Sequence, residues 1–213
     1  MIEAVLWDLD GTVLDSKPGV FRSIEFALQS LNLPIPDETT RNAFLGPPID
    51  QGFRFVCNVP EERVAQAIDL YRQYYNAGGK FEAAIYPGVE ETVRALKQIG
   101  VRHYITTSKP RVFAEQILAH FGLSSLFDGV YGSELDGTRS SKSAVLEYCI
   151  ACEKLDKNAI VLVGDRSFDV KGAAKFGIPC IGVLYGYGDV SEFETAFRVI
   201  ETPDQLITAV ASI

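Results

Sequence analysis

The chain has 213 residues, 47% hydrophobic and 23% charged, with a formal net charge of −8. That length suits one large domain or a core with a small insert, and the composition excludes a disordered chain. The acidic balance excludes a general basic field for duplex DNA or anionic lipid, yet leaves room for a small anion in a local basic pocket. With no 18-residue apolar run and no basic stretch ahead of the first acid, neither a spanning helix nor a signal peptide is expected, and the reading is cytoplasmic.

Residues 2–9 are short and apolar and end in Asp8-Leu9-Asp10-Gly11-Thr12, a buried strand that delivers polar groups at its carboxyl end. From about residue 17 the character changes. Val20, Ile24, Ala27, Leu28 and Leu31 recur at helical spacing until Leu33-Pro34-Ile35-Pro36 stops them. A Gly46-Pro47-Pro48 turn follows, and then Pro60-Glu61-Glu62 opens a second helix with Pro at a first-turn position and acids beside it. Gly78-Gly79 ends that helix. The segment 16–81 thus reads as an all-helical insert, with joins near Asp15-Ser16-Lys17 and in residues 79–86. Lys17, Phe53, Arg54 and Phe55 are its unranked candidates for substrate contact.

Beyond Tyr86-Pro87-Gly88 helices and strands alternate. A helix carries Val89, Val93, Leu96 and Ile99; a strand at 101–107 ends in Thr106-Thr107-Ser108-Lys109; a helix carries Phe113, Ile117 and Phe121. A short strand is expected at 127–131 and a helix from Ser141-Lys142. A strand at 160–163 ends in Gly164-Asp165, and a short helix with Ala173 and Ala174 follows. Further strands are expected at 179–183 and 198–200, then a last helix opened by Thr202-Pro203. Such alternation specifies an α/β fold: a Rossmann-like, doubly wound parallel sheet, formed by residues 1–15 and 82–213, covered by helices on both faces.

The cysteines and histidines exclude other chemistries. Cys149 and Cys152 form a CxxC, but with Val145 they fall at i, i+4, i+7 of a helix and read as small core residues. Nothing completes a zinc site around them. The two histidines, His103 in an apolar strand and His120 near a helix end, sit beside no nucleophile elbow.

In open parallel sheets, sites form beyond the carboxyl ends of the strands. Here those ends carry Asp8 and Asp10, Thr107-Ser108-Lys109, and Asp165 with Asp169. Asp8 and Asp10, spaced i, i+2, would share a face, and beside Asp165 their repulsion would be severe. Either one is protonated or a cation holds them. A hard divalent ion such as Mg²⁺ suits carboxylate and carbonyl oxygens together with a substrate phosphate. Gly11 permits a turn that aims N–H groups of Gly11 and Thr12 at an anion. Lys142 adds a point charge and Thr107 a hydroxyl. This set fits phosphoryl transfer: a carboxylate can attack phosphorus, and Asp10 can protonate the leaving oxygen and later activate water. Thr107, Ser108, Lys109, Lys142 and Arg166 are the further candidates for holding phosphate.

Asp8-Leu9-Asp10-Gly11-Thr12 resembles the DxDGT motif of the haloacid dehalogenase superfamily of phosphohydrolases. Thr107 is similar to its second motif, Lys142 to its third, and Gly164-Asp165-Arg166-Ser167-Phe168-Asp169 to its fourth, GDxxxD. All four stand in order across essentially the whole chain. The helical insert resembles the cap of the branch that holds phosphoglycolate phosphatases and 5′-nucleotidases. The Arg166 form of motif four, with Tyr131-Gly132-Ser133 and Tyr185-Gly186-Tyr187-Gly188, is closer to the 5′-nucleotidase-like members, whereas many phosphoglycolate phosphatases carry GDS there. Ser108 stands where relatives often have Asn.

The resemblance implies Asp8 as nucleophile and Asp10 as acid and base. It also implies Mg²⁺ on Asp8, the Asp10 carbonyl and Asp165, with Asp169 supporting. It further implies a cap that closes over the substrate. The expected substrate is a small phosphorylated metabolite, first a nucleoside 5′-monophosphate and second 2-phosphoglycolate, with no nucleic-acid polymer and no membrane as partner. A phosphosugar mutase and a phospho-accepting signalling module are the rival readings. A dehalogenase is disfavoured because that branch lacks the second acid of motif one, here Asp10.

Overall fold

A computed structural model describes residues 2–213. The chain divides into two compact units: one runs to Asp15 and resumes as Ile85–Ile213, and the other is Ser16–Ala84. No helix among the described residues is long and apolar enough to cross a membrane.

The larger unit is built on six strands: β1 (Ala4–Trp7), β2 (Arg102–Pro110), β3 (Gly129–Ser133), β4 (Ile160–Gly164), β5 (Cys180–Val183) and β6 (Arg198–Ile200). All neighbours pair in parallel, in the order β3-β2-β1-β4-β5-β6. This is the doubly wound order, in which the chain builds outward from β1 on one side and then crosses to build outward on the other. The crossing falls between β1 and β4, the place where sites form beyond the strand ends in such sheets. Every residue of β1 and β4 is buried, as central strands of a sheet covered on both faces require. Hence they read as unbroken apolar runs without alternation.

One face packs Ala4, Leu6, Tyr104, Ile160 and Leu162 against Leu146, Cys149 and Ile150 of α5 (Lys142–Glu153) and Val170 and Ala173 of α6 (Ser167–Ala174). The remaining helices of this unit are α3 (Val89–Gln98), α4 (Arg111–His120) and α7 (Gln205–Ala211). α3 buries Val89, Val93 and Leu96, and α7 buries Leu206 and Val210.

The smaller unit holds the helices α1 (Lys17–Ser30) and α2 (Glu61–Ala77), with short helical turns at Glu38–Asn42 and Ile49–Gln51 and a π-helical turn at Gly52–Val56. Within it Phe44, Phe53, Tyr71 and Tyr75 stack and tilt against one another at 5.2–6.3 Å between centroids. Phe53 is fully buried there and so presents no surface, whereas Phe55 is exposed. Of the candidates for substrate contact, Lys17 pairs with Glu38 at 2.7 Å, and Arg54 is held by Asp50 and Glu61.

Three sequence expectations are corrected. Cys149 is buried but Cys152 is exposed, in a last turn of α5 where Ala151 is exposed as well. The third strand runs two residues later than expected, at Gly129–Ser133; ahead of it Asp128 binds His103 twice, its N–H donating to the His103 carbonyl and its Oδ2 accepting the His103 N–H, each at 2.7 Å. The last helix begins at Gln205, with Asp204 rather than Thr202 at its cap.

Candidate active site

The last paired positions of β1 are Trp7 with Ile105 and Trp7 with Val163. One step further along the three strands stand Asp8, Thr106 and Gly164. After that, β2 shifts register between Thr106 and Pro110, and β4 ends before Asp165. Polar side chains separated by up to 161 residues are thereby set along one edge.

Asp8, Asp165 and Asp169 each offer a carboxylate oxygen within 4.8 Å of the others. Lys142 Nζ lies 2.6 Å from Asp8 Oδ1 and 2.8 Å from Asp169 Oδ1, and it donates to the Thr106 carbonyl at 2.7 Å. A lysine in the first turn of a helix opposes the helix dipole, and this one is 6% exposed. Burial alone would lower its pKa. Asp169 and Asp8 outweigh burial and hold the ammonium charged, above its ordinary range.

The carboxylates show the opposite strain. Burial pushes Asp8 up to about 6, with Asp169 and Asp10 adding to the rise while Lys142 opposes it. Burial likewise raises Asp165 well above the carboxylate range, aided by Asp169 and Asp8 and opposed by the Tyr187 N–H. Three carboxylates around one ammonium leave two negative charges uncompensated, the deficit that a divalent cation fills. The donors are all hard oxygens, as Mg²⁺ prefers, so the residues present fit that ion.

Asp10 stands apart from this trio. Its carboxylate takes Lys109 Nζ at 2.6 Å, so Lys109, a candidate for phosphate, is engaged with the neighbouring acid. Thr107 is buried, and its Oγ1 accepts the Lys109 N–H at 3.2 Å. The Ser108 carbonyl accepts from Ser133 Oγ at 2.8 Å. Thr12 Oγ1 donates to Asp165 Oδ1 at a long 3.4 Å.

Arg166, next to Asp165, pairs with Glu192. Its Nε lies 3.2 Å from both Glu192 oxygens, while Glu192 also accepts the Ser167 N–H at 2.8 Å. The start of α6 is tied further by Asp169 Oδ2, which accepts the Arg166 N–H at 3.0 Å. Asp169 therefore caps α6 with one oxygen and meets Lys142 with the other.

Two glycines make the trio possible. Gly11 sits at φ +82°, and a Cβ there would lie 2.1 Å from Asp165 Oδ2. At Gly164 a Cβ would lie 2.2 Å from Asp169 Cγ. Sequence reasoning did not find Glu192 or the Tyr187 N–H. The pair Tyr185-Gly186 and Tyr187-Gly188 was the available signal for the latter.

The family model described as haloacid dehalogenase-like hydrolase matches residues 5–183. A 5′-nucleotidase from Pseudomonas aeruginosa is 39% identical over 188 residues, covering 88% of this chain and 85% of that protein. A protein named tyrosine-protein kinase PtkA from Mycobacterium tuberculosis is 36% identical over 186 residues, covering 87% of this chain but 63% of that protein. The solved structure of a predicted phosphatase from Clostridium acetobutylicum superposes with a TM-score of 0.93 at 37% identity, covering 100% of both chains.

Proposed function

Because the chain belongs to the haloacid dehalogenase-like hydrolase family and is a phosphoric monoester hydrolase, we propose that it dephosphorylates a nucleoside 5′-monophosphate. The route is an aspartyl-phosphate on Asp8, with Mg²⁺ in the acidic trio. The observation that carries the reading is the Asp8 carboxylate, set at the carboxyl end of the central strand, 2.6 Å from Lys142 and beside Asp165 and Asp169. The 39% identical 5′-nucleotidase supports the choice of substrate; 2-phosphoglycolate is the second choice.

An Asp8 oxygen attacks phosphorus, and the bond from phosphorus to the leaving oxygen breaks as Asp10 gives that oxygen a proton. Water then attacks the acyl phosphate. Asp10 takes its proton, and Asp8 returns as carboxylate with inorganic phosphate released. Lys142 orients one Asp8 oxygen and favours the carboxylate form before the attack. The Thr107 hydroxyl is the proposed partner of the phosphate oxygens; the N–H groups of Gly11 and Thr12, expected to aim at the anion, are taken by the carbonyls of Leu14 at 2.8 Å and Leu9 at 3.4 Å. Bound Mg²⁺, held by Asp8, the Asp10 carbonyl and Asp165 with Asp169 in support, would supply charge neutralisation for the phosphate.

The test is phosphate release from a panel of nucleoside monophosphates, 2-phosphoglycolate and sugar phosphates, with Mg²⁺ and with a chelator. The expected result is turnover that needs Mg²⁺, is highest on a nucleotide, and falls to background in Asp8→Asn. Wild-type turnover by Asp8→Asn would overturn the assignment of the nucleophile. A sugar-phosphate isomer in place of free phosphate would overturn hydrolysis.

A further inference from the structure

The segment Tyr185-Gly186-Tyr187-Gly188 has no part in the steps above, yet it is pressed against the site. A Cβ on Gly186 would lie 2.2 Å from the Gly11 carbonyl oxygen and 2.4 Å from Asp165 Cβ; on Gly188 it would lie 2.0 Å from the Asp165 carbonyl oxygen. Backbone at that range leaves no room for side chains and no room for sliding. Tyr187 is the residue between these two contacts. Its N–H donates to Asp165 Oδ2 at 2.9 Å, and its phenol donates to Asp15 Oδ1 at 3.0 Å. The preceding Tyr185 packs its ring against Tyr86 at 5.1 Å between centroids.

We propose that Tyr187 is a positioning residue that sets the direction of the Asp165 carboxylate: the amide fixes Oδ2, and the phenol, anchored on Asp15, fixes the amide. With Oδ2 held by this bond and Oδ1 accepting from Thr12 Oγ1 at 3.4 Å, both oxygens of Asp165 are fixed beside Asp8 and Asp169. Orienting partners of this kind behind a metal ligand change its affinity for the ion about tenfold or more. The inference rests on the proposal that Mg²⁺ occupies the acidic trio.

The experiment uses the whole chain in three single variants and one double. Mg²⁺ alone is titrated by calorimetry without substrate. Hydrogen exchange of residues 185–188 is followed by mass spectrometry in metal-free protein. Tyr187→Phe keeps the amide and the ring and loses the phenol's hydrogen bonds, to Asp15 and to Tyr86. It is expected to raise the Mg²⁺ dissociation constant about five- to tenfold and to speed exchange at the Tyr187 amide. Asp15→Ala should do the same, the double variant should add little to either single, and Asp15→Asn, whose side-chain oxygen still accepts, should stay near wild type. Unchanged exchange at the Tyr187 amide in Tyr187→Phe overturns the proposal, as do fully additive effects. A wild-type chain that binds no Mg²⁺ overturns the metal reading instead, and the exchange result then still decides whether the phenol holds the amide.

Discussion

At the scale of single residues, charge decides what each side chain does. Lys142 serves two carboxylates, and Lys109 serves a third that lies outside the trio. The acid proposed to handle protons therefore has its own cation, separate from the one on the nucleophile. Both roles were readable as residue types at strand ends, but the pairing of each lysine with its acid was not. Rotamers and a register shift in β2 choose between Lys109 and Lys142, and the sequence offers both. Gly11 is a position where one methyl group matters. In Gly11→Ala the new Cβ would meet Asp165 Oδ2 at 2.1 Å in a backbone conformation of φ +82°, which L residues adopt at a cost of about 1–2 kcal/mol. Displacing Asp165 by about an ångström is expected to lower kcat roughly 100-fold. Steady-state assays check this, with circular dichroism to establish that the variant folds.

At the scale of elements, two helix starts carry the site. α5 begins on Ser141, whose Oγ accepts the Ala144 N–H at 3.3 Å, and this fixes the turn from which Lys142 projects. α6 begins with two carboxylates on its free N–H groups, Asp169 on Arg166 and Glu192 on Ser167, where acids also meet the positive end of the helix dipole. Asp165 and Asp169 were legible as a motif, and so was a helix starting near them. Glu192 was not, because it comes from a separate turn (Val190–Phe193) 25 residues on. Its position turns Arg166 into a structural partner. Glu192→Ala leaves the Ser167 N–H and Arg166 without that acceptor and is expected to cost about 1–2 kcal/mol of stability. Urea unfolding of the variant against wild type measures this, and a difference below a few tenths would show that water replaces the carboxylate at no cost.

At the scale of the whole molecule, stability is linked to pH through a residue remote in chemistry from the acidic trio. His103 is fully buried in β2, where its Nδ1 accepts from Trp7 Nε1 of β1 at 2.9 Å and its Nε2 has no hydrogen-bond partner. Burial lowers its pKa to about 4, with Asp128 opposing. The folded pKa lies below the unfolded one, about 6.5, so the unfolded chain binds the extra proton between these values. The stability associated with neutral His103 is therefore present above pH 6.5 and lost as the pH falls toward 4, to the extent of about 3 kcal/mol. Unfolding free energies of wild type and His103→Gln between pH 7 and 4.5 test this. The expected difference between the two slopes in that window should vanish if His103 titrates normally.

The sequence by itself determined the order of elements, the doubly wound class and the four polar segments. A parallel sheet places every strand's carboxyl end on the same side, so a motif at each end is enough to gather them. Only the tertiary structure decided which charges pair, that Asp169 joins the trio while Asp10 turns to Lys109, and that the backbone of residues 185–188 closes on Asp165. Those outcomes depend on distances of a few tenths of an ångström between segments up to 172 residues apart, as Tyr187 and Asp15 are. Local pattern carries no information at that separation.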